Sequence, residues 1–157
     1  MAEEAWRAAT ADDLACLEQL VAQAVLEQRE QKGGEVWART LGRRAPFGPL
    51  LEQELASPTH RLLVGTLDAT ILGYGAAHID ELADGGRLGV VTDLYVEPAG
   101  REVGIGEAVM NGLVEWCTEQ GCFGVDSLAL PGDRHTKNFF ETFGLVARAI
   151  VVHRTLS

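Results

Sequence analysis

The chain has 157 residues, of which 46% are hydrophobic and 23% are charged, a balance typical of a folded globular domain and not of a disordered chain. No apolar run approaches the roughly 18 residues of a membrane-spanning helix, and the acidic start Met1-Ala2-Glu3-Glu4 is unlike a secretory leader. Thirteen basic and twenty-three acidic residues give a formal charge of −10, which argues against nucleic acid and anionic membranes as partners.

The three cysteines, Cys16, Cys117 and Cys122, show no CxxC spacing. An odd number without that spacing argues against a disulfide framework and against a zinc site. We therefore expect no bound metal and a reducing, cytoplasmic environment. The length predicts a single domain over residues 1–157.

The first half of the chain changes from a helical to an extended pattern. Thr10 is a favourable N-cap for a helix in which Leu14, Leu17 and Val21 recur every three or four residues. Glycine and proline predict a loop or broken helix over residues 33–49. The predicted elements are a strand over 5–9, a first helix that ends before 33, a second helix over 50–55, and strands over 61–67 and 70–79.

The second half ends in a predicted strand. Asp133 is placed to cap a helix that runs to Phe143, and Gly144 suits the residue that ends it. The order strand, helix, helix, three strands, helix, strand, helix, strand indicates an α+β fold with a sheet of mixed direction. The predicted elements are a strand over 88–96, a helix over 107–121, a strand over 125–130, a helix over 133–143 and a strand over 145–156.

The junction between the strand over 88–96 and the next helix has a pattern that suits an anion. Arg101-x-x-Gly104-x-Gly106 follows Pro98 and opens the helix. Small residues at a helix start leave backbone N–H groups accessible, and the helix dipole favours negative charge there, so a pyrophosphate would fit. A plain turn that needs glycine for its dihedral angles is the alternative.

Residues 96–106 resemble the signature of the GNAT superfamily of acyl-CoA-dependent N-acetyltransferases, a strand ending in a hydrophobic residue, x and Pro, then Arg-x-x-Gly-x-Gly. Asn138-Phe139-Phe140-Glu141-Thr142-Phe143-Gly144-Leu145 is similar to that family's second landmark. The resemblance implies a central, mixed, mostly antiparallel twisted sheet of six to seven strands flanked by about four helices. The implied order is β-α-α-β-β-β-α-β-α-β(-β).

The resemblance also implies acetyl-CoA as cosubstrate and a set of residues that hold it. The backbone of Leu94 and Val96 would bind the pantetheine arm, and the amides of residues 103–107 would bind the pyrophosphate. Asn138 and Phe140 would border the thioester. The implied cofactor-binding residues are Leu94, Tyr95, Val96, Arg101, Glu102, Val103, Gly104, Ile105, Gly106, Glu107, Asn138 and Phe140.

Two positions depart from the family pattern. Many members have a tyrosine where this chain has Phe140, which cannot protonate a thiolate; Tyr95 is the nearest substitute. Neither Val90 nor Thr92 supplies the glutamate that often acts as base. Asp93 and His78 are therefore the catalytic candidates, each with a structural role as the alternative.

The acceptor pocket is expected between the first two helices, with Trp37, Phe47 and Asp80 as substrate-binding candidates. Arg39, Arg43 or Arg44 would suit an amino-acid-like acceptor, whereas the acidic residues after His78 would suit a polyamine, and both alternatives stay open. The predicted function is acetyl transfer to a primary amine of a small molecule or peptide by direct attack.

Two alternative functions and one expectation about assembly remain. A non-catalytic acyl-CoA-binding or regulatory domain would explain the missing tyrosine and glutamate. A dinucleotide fold is disfavoured because Val109 stands where a third glycine would fall. A homodimer formed through sheet edges or through the strand over 145–156 is also expected.

Overall fold

The computed structural model describes residues 3–157 and has one mixed sheet with helices on both faces. Single 3-10 turns at Ala11–Asp13 and Pro98–Gly100 precede α1 and α4. Among the residues described, the elements are β1 (Glu4–Ala8), α1 (Leu14–Arg29), α2 (Gly34–Thr40), α3 (Gly48–Ala56), β2 (His60–Leu67), β3 (Thr70–Glu81), β4 (Arg87–Val96), α4 (Ile105–Glu119), β5 (Gly124–Ser127) and α5 (Arg134–Thr142).

The strands lie in the order β1-β2-β3-β4-β5. The first four strands pair antiparallel, and β5 pairs parallel to β4. The turn Asp68-Ala69 between β2 and β3 places both residues at positive φ, which lets two short residues connect the strands. The parallel pair needs the long crossover through α4, as such connections do.

Two apolar clusters hold the layers together, one on each face of the sheet. The face covered by α1 and α3 buries Leu17, Val21 and Leu51 against Leu62 and Val64. The face covered by α4 buries a larger cluster, and each such side chain contributes about 1.5–3 kcal/mol when removed from water. Its α4 members are Ile105, Val109, Met110, Leu113, Trp116 and Cys117.

The predicted α+β class is confirmed, but the number of strands and helices is wrong. The described residues form five strands and five helices rather than six to seven strands and about four helices. Residues 33–49 contain the extra helix α2, which begins after Gly33 at φ +82°. The predicted strand over 145–156 does not form, since the segment makes no ladder with any of the five described strands.

Local boundaries follow the sequence pattern elsewhere. Thr10 and Asp13 form a capping box before α1, and Asp133 caps α5 by accepting a hydrogen bond from the Thr136 N–H. Strand β5 ends at Ser127 rather than at residue 130. Within residues 3–157, no helix has both the length and the apolar character needed to cross a bilayer.

Candidate active site

A bulge in β4 determines which side chains face each side of the sheet. Ala76 pairs with Asp93 and Ala77 pairs with Val91, so Thr92 is an extra residue in β4. Such a bulge reverses the alternation of the side chains that follow it. Leu94 therefore packs with the α4 cluster, and Tyr95 packs with the α1 cluster.

Strands β4 and β5 separate beyond the bulge. Their pairing ends at Val91 and Ser127, whereas β4 continues to Val96. Among residues 3–157, therefore, no strand pairs with the edge of β4 over residues 92–96 on its β5 side. Backbone groups at such an edge are available to an extended ligand, which can bind as an added strand would.

The loop that follows β4 presents a second row of free backbone groups. The N–H groups of residues 102–107 donate no hydrogen bond to any other residue among 3–157. Gly104 adopts φ +87°, a conformation that favours glycine, and caps α4. Consecutive free donors at the start of a 15-residue helix form a site that suits a phosphate group.

Side chains around this loop are less favourable to an anion than its backbone is. A Cβ on Gly104 would lie 3.2 Å from Glu4 Oε1, so a carboxylate stands beside the free N–H groups. Arg101 contributes the positive charge, but it donates to Val96 O (2.8 Å) and to both carboxylate oxygens of Glu27. An anion at this loop would therefore meet the backbone amides, while the arginine is held across the end of β4.

A cleft of about 520 Å³ lies on the α1 side of the separated strands. Helices α1 and α2 and the segment between α2 and α3 form one wall, and strands β2, β3 and β4 form the other. The cleft also reaches the start of α5. Its polar and aromatic lining includes Trp37, Arg43, Arg44, Glu54, His60, His78, Asp93, Tyr95, Asp133, Thr136 and Phe140.

Arg43 is the centre of a buried ionic network in this cleft. Its guanidinium donates to both oxygens of Glu54 (2.6 and 2.9 Å) and both oxygens of Asp93 (2.8 and 3.2 Å). These carboxylates raise the pKa of Arg43 well above its usual value, against the lowering effect of its burial. Two paired edges of the Arg43 guanidinium are thus taken by Glu54 and Asp93, and neither is available to a substrate carboxylate.

Asp93 receives further donors from its own sheet. The hydroxyls of Tyr74 (2.7 Å) and Thr92 (2.6 Å) both donate to its carboxylate. Burial, the charge of Asp93 and this hydrogen bond together raise the pKa of Tyr74 well above its usual value. The Asp93 carboxylate thus accepts hydrogen bonds from Arg43, Tyr74 and Thr92 at the bulge, which fits the structural alternative for this residue.

His78 lies on β3 in the same cleft and is partly exposed. Its Nε2 is 3.0 Å from Asp80 Oδ1. The ring of His60 lies opposite, with the two centroids 5.7 Å apart, and His60 Nδ1 contacts Ser57 Oγ at 2.9 Å. A neutral His78 that donates to Asp80 keeps Nδ1 as a proton acceptor.

The remaining predicted site residues are divided between the cleft and other surfaces. Trp37, Leu94, Tyr95 and Phe140 line the cleft, and Phe140 is also buried in the α4 cluster. Asn138 is exposed on α5. Phe47 packs with the α1 cluster beside a separate surface depression rather than among the residues that line the cleft, and its role in substrate binding stays a prediction.

Sequence analysis missed several residues of the cleft. Glu54 lies in α3 and Tyr74 lies in β3. Neither belongs to a sequence motif, so the sequence does not indicate that they line a site. His60 is aligned with His78 only through the pairing of β2 and β3. Arg43 was noticed for its charge, but its two partners come from α3 and β4, and only the fold brings them together.

The acetyltransferase (GNAT) family profile matches residues 19–145. A comparison with curated protein sequences found no match. Similar solved structures include a transcriptional regulator from Bacillus halodurans, with 18% identity and a TM-score of 0.76 over 98% of this chain and 100% of that one.

Two aminoglycoside acetyltransferases are also similar in fold. AAC(6')-Iy, solved with the bisubstrate analogue CoA-S-monomethyl-acetylneamine, has 16% identity and a TM-score of 0.76 over 99% of each chain. An enzyme from an uncultured soil metagenomic sample, solved with sisomicin, has 20% identity and a TM-score of 0.69 over 99% of this chain and 95% of that one. From the profile match and the shared fold, the chain belongs to the acetyltransferase (GNAT) family.

Proposed function

We propose that this protein is an N-acetyltransferase that moves the acetyl group of acetyl-CoA to a primary amine. The observation that carries the proposal is the open edge of β4 at residues 92–96 leading into the free N–H groups of residues 102–107. An extended amide-containing arm that ends in a pyrophosphate matches both features. The residues therefore fit the cosubstrate that the family uses.

Each half of acetyl-CoA has a proposed place along this path. The backbone around Leu94 and Val96 binds the pantetheine arm, and the amides of residues 103–107 bind the pyrophosphate. Arg101 must release Val96 O if the arm is to bond that carbonyl, and it is then free to pair with a phosphate. Asn138 has the weakest support, because its side chain is exposed.

The acceptor amine attacks the thioester carbon directly, so that a C–N bond forms and the C–S bond breaks. His78 is the proposed base, because it lines the cleft and its ring is oriented by Asp80. Its Nδ1 accepts the proton that the amine loses. Tyr95 is the proposed donor to the departing thiolate, because its side chain lines the cleft and carries a hydroxyl.

A cationic amine is the acceptor class that this cleft favours. Arg43 is saturated by Glu54 and Asp93, so it does not attract an amino acid through its carboxylate. The overall charge of −10 also favours a cation. The similar structures solved with aminoglycoside ligands make a polyamine or an aminoglycoside the first acceptors to test.

Release of free thiol from acetyl-CoA over a panel of amines tests the proposal. We expect turnover with at least one polyamine or aminoglycoside, and a drop in kcat of at least tenfold for His78→Asn without loss of CoA affinity. His60→Asn is the matched control, because it removes the facing imidazole. Equal effects of both variants would remove His78 from the mechanism, and lack of CoA binding by calorimetry would overturn the proposal itself.

A non-catalytic acyl-CoA-binding protein is the second candidate. Phe140, at the position where many relatives have a tyrosine, has no hydroxyl and so donates no proton, and its ring is 7% exposed and packs in the core. Saturable CoA binding without thiol release for any amine of the panel would favour this function. Turnover that persists in Tyr95→Phe would instead indicate that water protonates the thiolate, whose thiol has an ordinary pKa of about 8.5.

A further inference from the structure

The Arg101 guanidinium occupies a place at the end of β4 that suits a cation of any kind. Its Nη2 donates to both carboxylate oxygens of Glu27 on α1, at 2.9 and 2.8 Å, and its Nε donates to Val96 O at 2.8 Å. Its Cζ lies over the Tyr95 ring, 5.6 Å from the centroid. A carboxylate and an aromatic face together attract alkylammonium groups as well as guanidinium groups.

The same place opens onto the acceptor cleft. Glu27 and Tyr95 both line that cleft. The side chains of Glu27 and Arg101 are 47% and 41% exposed, and ion pairs that are exposed to this extent contribute little to the stability of a fold. Another cation that enters the cleft can therefore replace the guanidinium beside Glu27 without disturbing the core.

The proposed path of acetyl-CoA gives Arg101 a reason to leave this place. The pantetheine arm competes with Arg101 for Val96 O, to which the guanidinium donates in the free protein. The pyrophosphate is proposed at residues 103–107, which directly follow Arg101 in the same loop. A guanidinium that turns to an ionised phosphate gains two parallel charge-assisted hydrogen bonds there, and the Glu27 carboxylate is then left facing the cleft.

We propose that Glu27, released by Arg101 when acetyl-CoA binds, holds a second cationic group of the acceptor. This inference rests on the proposed function and extends it to the class of acceptor. The attacking amine must be uncharged, because its lone pair forms the new C–N bond, so the cation at Glu27 is another ammonium group of the same molecule. The acceptor therefore carries at least two amines, and Arg101 takes the place of one of them in the free protein.

The exchange at Glu27 couples the binding of the two ligands. Acetyl-CoA removes the competitor of the acceptor, and the acceptor removes the partner that holds Arg101 away from the phosphate. Each ligand must therefore strengthen the binding of the other by the same factor. Breaking an exposed ion pair of this kind corresponds to a factor of about two to five in affinity, and we expect the coupling to have that size.

Calorimetry with spermidine and coenzyme A, which has no acetyl group to transfer, tests the exchange. Wild-type protein should bind spermidine about two- to fivefold more tightly when coenzyme A is present. Arg101→Gln should bind spermidine that tightly without coenzyme A, because Glu27 is already free. Glu27→Gln should bind spermidine weakly in both conditions and should bind coenzyme A more tightly than the wild type, because Arg101 is already free. Circular dichroism checks that both variants fold.

Glu35→Gln is the matched control for the loss of one negative charge. Glu35 also accepts two hydrogen bonds from an arginine, Arg29, but it does not line the cleft, so its variant should keep the coupling of the wild type.

The outcomes separate this inference from the proposed function. Coenzyme A that binds without strengthening spermidine binding, full coupling in Glu27→Gln, or equal loss of coupling in Glu27→Gln and Glu35→Gln would each overturn the role of Glu27. Thiol release confined to amines with a single cationic group would also overturn it, while acetyl transfer itself would stand. Lack of coenzyme A binding would instead overturn the proposed function.

Discussion

The two sides of the cleft are built from different kinds of groups. On the side proposed for acetyl-CoA, the groups that face the ligand are backbone N–H and C=O groups of residues 92–107. On the side proposed for the acceptor, they are charged and aromatic side chains, among them the Arg43 network with Glu54 and Asp93. A backbone site depends on a few positions where a side chain must be absent, whereas a side-chain site depends on several ion pairs that must all be complete.

The largest expected effect is on the backbone side. A Cβ at Gly106 would lie 3.7 Å from Val96 and Phe139, which is ordinary contact, so Gly106→Ala should fold and bind CoA within a fewfold of the wild-type affinity. Gly106→Glu adds bulk and negative charge where the pyrophosphate is proposed, and we expect no CoA binding by calorimetry. Unchanged affinity in Gly106→Glu would place the site elsewhere.

The acceptor side should instead respond through stability. Arg43→Met leaves the Glu54 and Asp93 carboxylates buried without a cation, and removing one member of such a cluster costs about 3–5 kcal/mol of unfolding free energy. Arg44→Met is the matched control, because its guanidinium donates only to Arg39 O, and it should cost less than about 0.5 kcal/mol. Urea denaturation measures both variants.

A combined variant tests whether charge is the cause. Arg43→Met with Glu54→Gln and Asp93→Asn removes the stranded carboxylates together with the cation, and replacing a whole buried ionic cluster by neutral groups is often close to neutral. We expect it to regain at least half of the lost stability. A further loss would show that the network contributes through its hydrogen-bond geometry rather than through compensation of charge.

The difference between the two sides also explains what the sequence could predict. Arg101, Gly104 and Gly106 are close in the chain, so their spacing alone predicts the free N–H groups and the helix start. The bulge at Thr92 has no local signature, because it exists only through the register of β3 against β4. The partners of Arg43 lie 11 and 50 residues away, so no spacing rule reveals them.

The end of the chain shows a different limit. Residues 145–156 have the β-branched composition of a strand, and this local preference predicts a strand there. Whether such a segment becomes a strand depends on a neighbouring backbone. Among the described residues this segment is joined to β5 by the Arg148–Asp126 pair, but it is not part of the sheet.

A smaller effect should appear at the Arg7–Asp13 pair, which links β1 to the start of α1 outside the cleft and is more exposed on its Arg7 side than the Arg43 network. Hydrogen bonds and charge from Arg7 lower the pKa of Asp13 to about 2 from its usual value near 4. A carboxylate whose pKa is lower in the folded state stabilises the fold at pH values above its unfolded-state pKa. That contribution is lost as the pH falls through the folded-state pKa.

We therefore expect this pair to lower the free energy of unfolding by about 1–2 kcal/mol as the pH falls from about 4 to 2. The effect is this small because Arg7 is half exposed and solvent screens part of the interaction. Asp13→Asn should lack this component, and Asp12→Asn, at the exposed neighbouring residue, should keep it. Urea titrations at pH 6 and pH 2.5 measure it, and identical pH dependence in both variants would refute the assignment.

The smallest effect returns to the backbone side and to its one unfavourable side chain. Glu4 stands beside Gly104, where its carboxylate repels a bound phosphate, so Glu4→Gln should strengthen CoA binding by about threefold at low salt, and the gain should shrink at high salt. Glu119→Gln makes the same change of charge at the other end of α4, about 20 Å away, and should leave the affinity unchanged.

The two variants distinguish a local effect from a general one. Glu4 lies on β1, and its carboxylate approaches the loop at Gly104, so a gain in Glu4→Gln alone would show that the phosphate lies at the start of α4. Equal gains in both variants would show that the field of the whole chain governs binding, and weaker binding in Glu4→Gln would show that this carboxylate supports the loop.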